Sequence, residues 1–124
     1  MEANVGTFRY MAPEVHGPPK DTAKYNKKAD VFSAAMVLYS VFTGDRPMKK
    51  IVKDGIVGKM ILSGCRPNVW MIHSKIRRTF ERAWSTDPTN RPSFSELKEE
   101  RRGFDTSQLL GCQGKSMLGT LCCK

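Results

Sequence analysis

Between Val31 and Phe42 the only polar side chains other than the Tyr39 hydroxyl are Ser33 and Ser40. A run this long with almost no polar face predicts a helix of three to four turns over residues 29–44. Such a helix has to be surrounded by protein on every side, because it is too short to cross a bilayer. Asp30 reads as its N-cap and Gly44 as the residue that ends it. Val and Phe would also suit a buried strand, but the length and the end signals favour a helix. Over residues 49–63, Ile51, Val52, Ile56, Val57, Met60, Ile61 and Leu62 recur at spacings of three and four, predicting a second, amphipathic helix interrupted by Gly55 and Gly58. From 71 to 84, Ile72, Ile76, Phe80, Ala83 and Trp84 fall on one helical face, with Lys75, Arg77, Arg78 and Glu81 elsewhere; Trp84 is read as core. The stretch TDPTNRPSF is a Pro/Asn turn. It ends in Ser93 with Glu96 three positions on, a capping box that starts a short helix over 94–101.

The ends are quieter. Residues 1–15 read as an extended loop that turns at Pro13, since a proline keeps Ala12 out of the helical region. Residues 16–28 form a polar connector stiffened by Gly17-Pro18-Pro19. After about residue 100 the periodicity is lost and glycines recur at 103, 111, 114 and 119. The expected organisation is one domain over 1–99 and a flexible tail over 100–124.

Composition adds little. The chain has 124 residues, 40% hydrophobic and 27% charged, enough for one core. No secretory leader and no membrane span is visible, which favours a cytoplasmic setting, with the nucleus also compatible. Of four cysteines, Cys65 stands alone and Cys112, Cys122 and Cys123 lie in the tail. They form no C-x-x-C pair and are read as reduced thiols. The last four residues, Leu-Cys-Cys-Lys, do not fit a prenylation signal. The net charge of +9 is spread over four separate clusters without interleaved aromatics, so a nucleic-acid surface is not favoured.

The order of the motifs is more telling. GTFRYMAPE near the start, then the apolar helix opening on Asp30-Val31-Phe32-Ser33, then Trp84…Asp87-Pro88…Arg91-Pro92-Ser93-Phe94, resembles the second half of the large lobe of a protein kinase. The closer resemblance is to the tyrosine-kinase-like group of serine/threonine kinases, over about residues 5–99. The resemblance implies a mainly α fold: a partial kinase C-lobe made of the end of the activation segment and four to five helices, with no N-terminal β lobe. It implies that Glu14 ion-pairs with Arg91, and that Asp30 accepts backbone N–H bonds from a catalytic loop. It implies that Thr7 helps seat a serine or threonine acceptor, and that Phe8, Arg9, Tyr10 and Met11 shape the pocket for the residue after it. Read without the resemblance, the same loop would serve simple packing. Ala34 and Ala35 depart from the family, which usually has a large residue and then glycine there; an added methyl at a tight crossing costs about 1–3 kcal/mol if no space opens.

Phosphoryl transfer needs a glycine-rich loop, a strand lysine, H-R-D-x-x-x-x-N and D-F-G. None of these occurs in the 124 residues: His16 precedes Gly-Pro-Pro, His73 precedes Ser-Lys-Ile, and Asp54-Gly55 lacks its context. No residue here is therefore expected to be catalytic, to bind a metal or to hold a cofactor; ATP and Mg²⁺ belong to the parent kinase. The expected function is that of a serine/threonine kinase domain fragment, inactive alone, whose partners are protein substrates and the missing N-terminal part. A non-catalytic, pseudokinase-like protein-binding module is the alternative, and a basic nucleic-acid binder a third. Without the elements that flank it in a kinase, part of Val31 to Phe42 should face water. Exposing ~300–500 Å² of apolar surface costs roughly 7–13 kcal/mol, so self-association or dependence on a partner is expected.

Overall fold

The computed structural model describes residues 8–16 and 27–102. Thr7, most of the 16–28 connector and the tail beyond Arg102 lie outside the described residues. Among those described there are four α-helices and no strand: α1 (Lys27–Thr43), α2 (Asp54–Leu62), α3 (Ser74–Ala83) and α4 (Phe94–Arg102). The expected N-terminal loop is not extended throughout. It folds into two short 3-10 turns, Phe8–Tyr10 and Pro13–Val15, with Ala12 extended between them.

Helix α1 starts earlier than the N-cap reading of Asp30 allowed. Asp30 is the fourth residue of α1, exposed in its first turn, where a carboxylate still favours the helix dipole. The extra residues are tied down from outside the helix. The Lys28 carbonyl accepts from Arg91 Nη1 at 2.9 Å, and Lys28 Nζ donates to the Arg91 carbonyl at 2.5 Å. At the other end Gly44, at φ +72°, takes the left-handed conformation that closes a helix, and its N–H meets the Ser40 carbonyl at 2.9 Å.

Val31, Phe32, Ala35, Met36 and Tyr39 of α1 are buried with Val57 and Ile61 of α2 and Ile76, Phe80 and Ala83 of α3. Ala35, in place of the glycine the family usually has, sits inside this core. Trp84 closes α3 as part of the same core, 5.4 Å from Phe80 and 6.1 Å from Tyr39 between ring centres. The opposite side of α1 is open: Val37, Leu38, Val41 and Phe42 are all exposed, Val41 at 72%. The all-round apolar pattern thus meets core on one side and water on the other.

The second helix is shorter than 49–63, and its glycines lie inside it rather than breaking it. Residues 47–50 form a turn, and α2 begins at Asp54. A Cβ at Gly58 would stand 3.2 Å from His16 Cε1, whereas one at Gly55 would meet nothing within 4 Å. The His16 ring cannot easily yield, since its Nε2 lies 3.1 Å from the Met11 carbonyl and its face stacks on Phe8. Gly55→Ala is therefore expected to stabilise the chain by up to about 0.5–1 kcal/mol, and Gly58→Ala to be neutral or destabilising. Urea melts of the two variants check this; an equal gain from both would show that His16 does not hold its place.

Helix α4 opens on the capping box read in the sequence. Ser93 N–H donates to Glu96 Oε2 at 2.6 Å, and Glu96 N–H to Ser93 Oγ at 3.2 Å. It is tied to α3 through Glu100, which accepts from Thr79 Oγ1 at 2.8 Å and from Arg82 Nη1 at 2.6 Å. No described helix is long and apolar enough to cross a membrane.

Candidate functional site

Two arginines organise the N-terminal segment. The first is Arg91, whose side chain is fully buried. Its Nη1 and Nη2 donate to Glu14 Oε1 and Oε2 at 2.7 and 2.9 Å, a two-pronged fork across 77 positions of sequence. The rest of the guanidinium is also occupied. Nε donates to the Ser85 carbonyl at 2.9 Å, Nη1 to Lys28 as described, and the plane lies 5.1 Å from the centre of the Phe32 ring. Burial pushes the Glu14 carboxyl up, but the Arg91 hydrogen bond and charge, with Arg66 further out, outweigh it and hold the group below its ordinary value. Proline fixes the geometry on the loop side: Pro13 opens the turn that carries Glu14 and keeps Ala12 extended.

The second is Arg9. The resemblance placed it in the substrate-side loop with Phe8, Tyr10 and Met11. Instead it is buried and faces the loop before α2. Nε donates to Asp54 Oδ1 at 2.6 Å, Nη1 to the carbonyls of Pro47 and Met48 at 2.9 and 3.0 Å, and Nη2 to those of Ile51 and Val52. A guanidinium fixed by this many acceptors is not available to an incoming peptide. It holds a bend in which Met48 adopts φ +52°, unusual for a side chain with a Cβ. Sequence reasoning missed this role. The sequence shows only a lone arginine between two aromatics, with no local partner to mark it.

The rest of the segment packs inward to differing degrees. Tyr10 and Val15 lie against the core, Ala12 is buried within it, and Phe8 stacks on His16 at 5.7 Å. Burial holds the His16 imidazole below its usual value against the pull of the Met11 and Phe8 carbonyls. Met11 stays half-buried. The Phe8–Tyr10 turn packs on α1 and α2, and Glu14 is joined to Arg91 after the turn before α4. Asp30 stands apart, exposed on α1, and Thr7 lies outside the described residues.

Among the described residues no group of three or more His, Cys, Asp or Glu could hold a metal ion. The titratable groups nearest the segment, Glu14 and Asp54, are each engaged with an arginine.

A family model described as protein tyrosine and serine/threonine kinase matches residues 2–100. Serine/threonine-protein kinase STY46 of Arabidopsis thaliana is 39% identical over 103 residues, covering 81% of this chain and 17% of that protein. Serine/threonine-protein kinase VIK of the same plant is 34% identical over 105 residues, 78% of this chain and 22% of the relative. Human receptor-interacting serine/threonine-protein kinase 1 is 34% identical over 110 residues, 86% of this chain and 16% of the relative. The chain thus spans less than a quarter of the length of these relatives. With the kinase motifs in order, the helical architecture they require and the match over residues 2–100, the chain belongs to the protein tyrosine and serine/threonine kinase family.

Proposed function

We propose that this chain supplies the acceptor side of a serine/threonine protein kinase domain and transfers no phosphate by itself. The observation that carries the reading is the Glu14–Arg91 fork, which fixes the segment from Phe8 to Glu14 onto a helical platform. A loop fixed in this way suits the seating of a protein substrate, with Thr7 next to the acceptor hydroxyl. The groups that would position ATP and Mg²⁺ have no counterpart in the 124 residues, and positioning is most of what kinase catalysis consists of. The exposed side of α1, with Asp30 at its start, is where residues carrying H-R-D and D-F-G would seat. The relatives named as serine/threonine kinases support that acceptor class.

The test is a phosphorylation assay with labelled ATP, Mg²⁺ and a generic serine/threonine substrate. The chain alone should give no transfer. Co-expression with a kinase segment that carries the glycine-rich loop, H-R-D and D-F-G should restore it. Mg²⁺-dependent labelling of serine by the purified chain alone would overturn the proposal.

The exposed α1 face gives a second expected outcome. Val41→Asp should make the lone chain more soluble and more monomeric by size-exclusion chromatography. The same change should abolish restoration by the co-expressed segment, because it buries a charge in the new interface. Restoration at full strength would show that this face is not the seat.

A further inference from the structure

We propose that Thr86 is a phosphorylation site whose phosphate is received by the guanidinium of Arg66. Thr86 is exposed at the corner between α3 and the Pro88–Asn90 turn, and its Oγ1 accepts from Arg66 Nη2 at 3.0 Å. Arg66 cannot swing away. Its Nε donates to the Trp84 carbonyl at 2.6 Å, its Nη1 to the Ile61 and Cys65 carbonyls at 2.9 and 2.8 Å, and its plane lies 5.1 Å from the Phe32 ring centre. Every one of these acceptors is neutral. The two nearby carboxylates are engaged elsewhere: Glu14 with Arg91, and Asp87 with the Thr89 N–H and hydroxyl at 2.9 and 2.7 Å. The Arg91 guanidinium lies at the same corner, its Nη2 3.5 Å from the Thr86 carbonyl.

Arg66 is accordingly a half-buried cation whose hydrogen-bond acceptors are all neutral, with Glu14 acting on it only from further out. Burial and the neighbouring Arg91 lower its pKa to about 10. A phosphate on Thr86 Oγ1 would carry close to two negative charges and three acceptor oxygens to the edge of a guanidinium already fixed in place. In the modification itself, Thr86 Oγ1 forms a bond to the γ-phosphorus of a nucleoside triphosphate bound to a kinase acting in trans. The bond from that phosphorus to the bridging oxygen breaks, the diphosphate leaves with the electron pair, and the hydroxyl proton passes to that kinase's base. The phosphate would then clamp the corner after α3 to the segment after α2, beside the fork that holds Glu14.

The experiment uses the full chain with phosphothreonine at 86, made by semisynthesis, next to the unmodified chain and one with phosphothreonine at 89. Phosphorus NMR titration should place the second phosphate pKa at position 86 about one unit lower in the folded chain than in concentrated urea, a tenfold change in proton affinity. The melting temperature should rise. Phosphate at 89, beside the Asp87 carboxylate, should show neither effect. Arg66→Lys should shrink the shift at 86, and the folded-versus-urea comparison stands even if that variant fails to fold. Equal titration in both states, or a lowered melting temperature, overturns the proposal. So does an extract of the protein's own cells, supplied with ATP and Mg²⁺, that phosphorylates the chain elsewhere but never at Thr86.

Discussion

Arg91→Ala is expected to lower stability by about 3–5 kcal/mol, enough to leave much of the chain unfolded at room temperature. The size follows from what the side chain holds. It is buried completely, and its fan of N–H groups joins Glu14 in the N-terminal segment, Lys28 at the start of α1 and Ser85 after α3, while its plane covers Phe32. Truncation opens a cavity against Phe32 and leaves acceptors on three separate elements without their donor at once. Urea denaturation followed by tryptophan fluorescence reads the loss, since Trp84 is buried against Phe80 and Tyr39. A loss below about 1 kcal/mol, the size of one ordinary hydrogen bond, would mean that Arg91 does not organise the fold. Glu14→Gln keeps the shape and removes the charge. It should cost less, because the Glu14 side chain is a third exposed and water screens part of the pairing. It should also change the acid limb. The folded pKa of Glu14 lies below its unfolded value, so the stability it contributes is complete above the unfolded pKa and is lost as pH falls through the folded one. The wild-type chain should lose that part below about pH 4.3, the ordinary glutamate value, and Glu14→Gln should lack it.

The sequence disclosed the helices because apolar spacing and caps are local. The Ser93–Glu96 box and the Gly44 stop depend on residues within a few positions of each other, and both are where they were read. The start of α1 was misjudged because Asp30 has the chemistry of a cap, while the residues that extend the helix are held by Arg91, more than sixty positions away. The glycines of α2 looked like breaks for a similar reason. Gly58 is there to admit the His16 ring, which no window around α2 can reveal. The Glu14–Arg91 pair was legible only through the resemblance to kinases, since two opposite charges 77 positions apart carry no signal of their own. Arg9 was placed on the substrate side by that same resemblance, and its true surroundings are five acceptors spread over residues 47–54. Periodicity describes the side chains of a segment. It says nothing about backbone carbonyls that a bend turns toward one point.

Arg9→Leu is the second substitution expected to be severe, at about 3–5 kcal/mol. Some buried ion pairs can be exchanged for hydrophobic residues at no cost, and leucine matches much of the arginine stem. That exchange succeeds when both charged partners are replaced together. Here leucine would leave the Pro47 carbonyl buried without its Arg9 donor, the Met48 carbonyl with the Ile51 N–H alone, and Asp54 without its cation. It would also release the bend at Met48, whose left-handed backbone persists only while its surroundings hold it. Arg9→Lys should recover less than half of the loss, because an ammonium has three donors at one point and cannot span carbonyls from Pro47 to Val52. Asp54→Asn should cost only about 1 kcal/mol, since that carboxylate is a quarter exposed and most of the Arg9 contacts survive. Stability measurements on the three variants rank the carbonyls against the carboxylate. Hydrogen exchange then locates the effect, with faster exchange at Ile51, Ile56 and Val57, whose N–H groups bond to Met48 and Lys53, in Arg9→Leu. If Arg9→Leu were neutral while Asp54→Asn was severe, the loop before α2 would be held by the ion pair alone, and the convergence of carbonyls on Arg9 would have no energetic weight.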